Sequence, residues 1–146
     1  ERQLRPHVVG VCHEILGIYL NQENAAVQCF IGITNALSKD PKVAADPKIQ
    51  EHVNKISQAL PALKALPSSD LDERKPLIDN IIKETTALGE RADELNPHGP
   101  TAKAARTFGK VMIGLKYTLI AVGLVVAACT IVLPIAALGF VVLAKK

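Results

Sequence analysis

His13 and Glu14 stand together as the first half of a zinc-hydrolase helix would: a metal-binding imidazole beside a carboxylate able to take a proton from water. That chemistry needs a second histidine one turn further on, and Gly17 occupies the place. His7, His52 and His98 are scattered, and the spacing between His7 and His13 does not put both on one helical face, so the histidines read as structural side chains. Gly109 and Gly114 lack the Lys-Ser or Lys-Thr that completes a phosphate loop. There is also no serine elbow, no paired cysteines and no carboxylate pair in an apolar setting. Asp70, Asp72 and Glu73 near Lys75 suit the first turn of a helix, where the dipole favours acids. Cys12, Cys29 and Cys129 are odd in number and the last lies in the most apolar stretch. We read them as buried small apolar residues, not as a disulfide framework or a zinc site. The expectation is a protein that is not an enzyme and carries no metal or cofactor.

The distribution of charge points elsewhere. Residues 1–94 hold all 14 acids against 11 bases, whereas residues 95–146 hold six bases and no acid. From Tyr117 to Ala144 run 28 residues without a charge. A helix of that length would reach roughly 42 Å, enough for a hydrocarbon core of about 30 Å. Its large apolar residues include Leu119, Ile120, Leu124, Val125, Ile131, Leu133, Leu138, Phe140 and Val141. Together with their neighbours they favour insertion by roughly 5 to 9 kcal/mol, less the cost of Gly123, Pro134 and Gly139. Burial inside a water-soluble bundle would require about five neighbouring helices, and the preceding chain offers three. Insertion into a lipid bilayer is therefore expected, as a single span kinked at Pro134. A shallow hairpin about Pro134 is the alternative, disfavoured because the ten or so residues beyond it are too few to cross back.

Lys103, Arg106, Lys110 and Lys116 precede this stretch with no acid among them, and only Lys145 and Lys146 follow it. The heavier flank should stay in the cytosol, leaving a tail anchor with the helical domain facing the cytosol. The same four residues suit anionic lipid headgroups. Nucleic-acid binding is not expected, because these bases adjoin the apolar stretch and lack interleaved aromatics. Gly123 and Ala127 form a small-xxx-small pair through which two spans could approach as a homo-oligomer.

The elements that would carry this segment are helices. With three Phe, two Tyr and no Trp, the core must come from Leu, Ile, Val and Ala, which favours helix packing over a sheet sandwich. Residues 7–38 show three- and four-residue periodicity that survives Asn21-Gln22-Glu23-Asn24. We expect one long helix there, with a hairpin at 21–24 as the alternative. Pro41 ends it, and Asp46-Pro47 caps and starts the next, whose seam is Ile49, Val53, Ile56, Leu60 and Leu63. Pro67 to Asp70 is a connection in which either serine could cap a helix running on to Leu95. Asn96-Pro97-His98-Gly99-Pro100 breaks the chain most strongly.

The resulting fold class is all-α. We expect an antiparallel bundle of about three main helices over residues 1–95, a Pro/Gly linker at 96–100, a basic juxtamembrane helix at 101–116 and a membrane segment at 117–144. In architecture the chain resembles small helical membrane-targeted effector proteins of intracellular bacteria, which join a helical domain to a hydrophobic segment. The resemblance implies a helical domain exposed to host cytosol at an organelle membrane and bound to an unknown protein partner. A competing function is a membrane-inserting or pore-forming protein with a hydrophobic hairpin about Pro134.

Overall fold

The computed structural model describes the backbone of residues 4–67 and 71–145, with side chains over 10–67 and 71–125 and at Ala127. Among the described residues there are five helices and no strand: α1 (Leu4–Ser38), α2 (Pro41–Ala44), α3 (Pro47–Ala65), α4 (Leu71–Leu95) and α5 (Pro100–Lys145). The all-α class is as expected.

α1 is a single helix, and the polar run at 21–24 does not interrupt it. Tyr19, Ala26 and Ile33 fall seven residues apart and are all buried, so the apolar face passes straight through the polar stretch. Glu23 is itself buried on that face, where a charged partner meets it. The helix ends at Ser38 as expected, and one turn of helix, α2, follows. This turn was not anticipated; it carries Val43 fully into the core. At α3 the Asp46 carboxylate accepts from the amide of Ile49 at 3.2 Å and Pro47 fills the first helical position. Of the expected seam, Ile49, Ile56, Leu60 and Leu63 are buried and Val53 packs against them, all serving internal packing. The serines proposed as caps for α4, with Asp70, lie outside the described residues; Asp72 and Glu73 occupy its first turn.

The strong breaker proves to be a tight turn. His98 adopts φ 58° and donates its amide to Asp93 at 3.0 Å, while the Gly99 amide returns to the Asn96 carbonyl at 3.0 Å. Pro100 is the first residue of α5 and not the last of a linker, because a helix start needs no donor there.

Side-chain pairs fix the directions. Asp46 with Arg91 and His52 with Glu84 run α3 antiparallel to α4. Asp93 with Arg106 and Asp79 with Lys116 run α4 antiparallel to α5. Glu23 with Arg74 and Asp40 with Asn96 set α1 parallel to α4. α5 lies between α1 and α4, and α3 packs on the far side of α4. The three main helices and the C-terminal apolar helix are as expected, but residues 100–145 are one continuous helix and not a separate juxtamembrane helix and membrane segment. Residues 101–122 form the fourth wall of the bundle, with Ala102, Ala105, Phe108, Met112, Leu115, Leu119 and Val122 buried at helical spacing. The Phe108 ring meets Phe30 of α1 at 5.9 Å, and Gly89 of α4 faces Ala105, with room for an ordinary 3.5 Å contact if it carried a Cβ.

One buried ion pair joins three helices. Arg74, 2% exposed, donates from Nε to Glu23 at 3.2 Å, from one Nη to the Leu66 carbonyl at 3.0 Å and from the other to the Pro67 carbonyl. Its guanidinium also stacks 5.7 Å from the Tyr19 ring centre. Burial, with Glu23 alongside, pushes the Tyr19 phenol well above its ordinary value. Arg74 thereby closes the end of α3 and holds α1 against α4.

The expectation for the cysteines fails at Cys12, which is disulfide-bonded; Cys29 is a free, half-buried thiol. An odd number excludes a framework that uses every cysteine, but it leaves room for one bridge and a spare.

Candidate membrane-anchoring surface

α5 extends for 46 residues, roughly 69 Å, and the α3–α4 hairpin accompanies only its first half. The Lys116–Asp79 pair lies eight residues from the start of α4, so α4 has run its course near residue 124 of α5. Asp72, Glu73 and Lys75 are exposed at that tip. A bilayer cannot rise past them without stripping water from those charges. Beyond that level α5 continues with residues 125–144, 20 uncharged residues or about 30 Å of helix, and the N-terminal half of α1, which holds exposed His13 and Glu14, continues past the same tip of α4.

The anticipated site residues divide accordingly. Leu119 is 4% exposed and belongs to the bundle core, not to a lipid-facing surface. It points the same way along α5 as Phe108, Met112 and Leu115, so α1 and α4 cover it. Ile120 and Leu124 are exposed, at 42% and 67%, and Val125 is half-buried. The side chains of Ile131, Leu133, Pro134, Leu138, Phe140 and Val141 lie outside the described residues, although the backbone of α5 passes through all six as helix. Among the described residues, the one stretch long and apolar enough to cross a membrane is Pro100–Val125, the same part of α5 that packs in the bundle.

The basic residues are less alike than their shared lack of neighbouring acids suggested. Lys116 bonds Asp79 at 2.9 Å, and this hydrogen bond and the carboxylate charge raise its pKa. Arg106 stands 3.5 Å from Asp93. Both counter-charges come from α4, whose Asp79 and Asp93 sit fourteen residues apart on one face. That spacing was the available signal, but it becomes informative only once α4 is known to lie beside α5. Lys103 and Lys110 are exposed and, among the described residues, have no ion-pair partner. A Cβ added at Gly123 would meet nothing within 4 Å, and Ala127 is exposed.

His52 Nδ1 lies 2.6 Å from Glu84 Oε2 within the α3–α4 contact, and Lys55 approaches the other oxygen at 3.7 Å. Exposed His13 and the neighbouring exposed Glu14 form no cluster of three or more metal-ligating residues, and none is found among the described residues. A groove runs between α4 and α5. Thr85, Gly89, Glu90 and Asp93 form one wall, and Ala105, Arg106, Gly109, Lys110 and Ile113 the other. Compared with protein-family models, with curated proteins and with solved structures, the chain matches none of them.

Proposed function

We propose that the chain is a membrane-anchored interaction module: a four-helix bundle held at a bilayer by the second half of α5, with the bundle presented to a protein partner. The carrying observation is the change along α5 from buried, counter-charged helix to an uncharged rod of one hydrocarbon thickness that outruns the α3–α4 hairpin. Insertion of such a rod is favourable by several kcal/mol, since each large aliphatic residue contributes roughly 0.3 to 0.6 kcal/mol. In this reading Lys103 and Lys110 stand above the headgroups, and Arg106 and Lys116 serve the bundle first.

The flanking charge favours a cytosolic bundle, which for an injected effector is the host cytosol. The disulfide at Cys12 opposes that orientation, because such bonds persist in oxidising compartments.

The test is flotation of the full chain with liposomes, followed by alkaline carbonate extraction. The full chain should stay with the lipid, and a chain stopped after Val125 should remain in the aqueous fraction as a folded helical protein. A full chain that runs as a monomer in buffer without detergent would overturn the anchor. Release of a trapped dye would instead favour the pore-forming function.

A further inference from the structure

Four large apolar side chains of α5 are left uncovered by the bundle: Ile113 at 44%, Tyr117 at 67%, Ile120 at 42% and Leu124 at 67% exposure. They recur at alternating four- and three-residue spacing, the register with which one helix offers a seam to another. These positions also lie alongside α4, on the water side of the charged bundle tip. The seam begins in the α4–α5 groove, which Ile113 lines, and there the two helices carry opposite charges: Glu90 on α4 and Lys110 on α5. Both are exposed and, among the described residues, neither has an ion-pair partner.

We propose that a second copy of this chain covers the seam, the two α5 helices packing side by side about a two-fold axis. A surface with an acid on one flank and a base on the other is self-complementary under that symmetry: Glu90 of one copy meets Lys110 of the other, and the reverse. An acidic flank would be repelled by an anionic bilayer. The four side chains offer roughly 400 Å² per copy at about 200 Å² for a whole large residue. The groove walls bring this toward the ~800 Å² per partner of a stable complex. The parallel orientation rests on the anchor reading, since two copies in one membrane must insert in the same sense.

The experiment is a cysteine scan in the full chain carrying Cys29→Ser, in mild detergent and in liposomes. Ile113→Cys, Tyr117→Cys, Ile120→Cys and Leu124→Cys are compared with Thr107→Cys and Ala121→Cys, which are also exposed. Oxidation should give covalent dimers at the four seam positions at least about fivefold above the two controls. Light scattering should show that Tyr117→Glu weakens dimerisation at least about tenfold, the equivalent of about 1.4 kcal/mol. Lys110→Glu should weaken it too, and Glu90→Lys in the same chain should restore it. Equal cross-linking at seam and control positions, a single-chain mass at every concentration, or no rescue by the paired charge reversal would overturn the proposal. If the chain proves soluble without detergent, the same scan in buffer still reads the seam, so failure of the anchor and failure of the dimer are separate results.

Discussion

Replacing Arg74 with methionine probes the contact on which the bundle depends most. Methionine keeps much of the apolar stem against Tyr19 but leaves the Glu23 carboxylate, 4% exposed, without its cation. Breaking one side of a buried ion pair costs about 3 to 5 kcal/mol, chiefly through the stranded charge. The carbonyls of Leu66 and Pro67 also lose their donors, but they lie at a half-exposed connection where water can replace a hydrogen bond worth about 1 kcal/mol. The stranded carboxylate therefore dominates. Glu23→Leu in the Arg74→Met background should recover most of the loss, because an apolar pair of similar volume avoids desolvating two ions. Stability would be measured by denaturant titration of the helical circular dichroism signal, with the full chain in mild detergent. At about 2 to 4 °C of melting temperature per kcal/mol, the single variant should also melt roughly 6 to 20 °C lower. A loss below about 1 kcal/mol for Arg74→Met, or a double variant equal to the sum of the two singles, would refute the reasoning.

Four further outcomes are expected. Phe108→Ala should destabilise the bundle by about 3 to 5 kcal/mol in the same titration, because its ring is fully buried against Phe30; a near-neutral result would return residues 101–116 to a juxtamembrane role. Gly89→Ala should stabilise by about 0.5 to 1 kcal/mol, since the added methyl meets Ala105 at an ordinary 3.5 Å and the helix gains propensity. The Arg91 hydrogen bond holds the Asp46 carboxyl down at about 2 from 3.8, so its contribution is present above about pH 4 and is lost as pH falls toward 2. The stability gap between the wild type and Asp46→Asn should close across that window, and a gap independent of pH would contradict the pairing. A maleimide should label Cys29 in the unreduced chain and Cys12 only after reduction; labelling of Cys12 in intact cells without reductant would favour a reducing, cytosolic location.

The helix boundaries were legible because their signals are local. Pro41 stops α1, Asp46-Pro47 starts α3, and the two prolines and glycine of 96–100 enforce a turn, each acting within a few residues. Even there, Pro100 was assigned to the wrong side of its boundary, since proline both ends and begins helices. The seam from Ile49 to Leu63 was visible for the same reason: its charged and apolar positions alternate strongly enough to reveal a face. The buried face of α5 was not visible. Ala102, Ala105, Phe108, Met112, Leu115 and Leu119 follow helical spacing, but apolar residues on the opposite side mask the period.

The amino-acid sequence by itself determined that this protein is helical, where its helices break, and that residues 117–144 carry no charge over more than a bilayer's length; propensity, proline geometry and the absence of charge need no distant partner. Only the tertiary structure decided that the first half of α5 is core and not a membrane approach, that Asp79 and Asp93 meet Lys116 and Arg106, that Arg74 meets Glu23 and that Cys12 is bridged. Those pairings bring together residues far apart in the chain. Their energies depend on which helices become neighbours and how far water is excluded between them, quantities that no local stretch of residues contains.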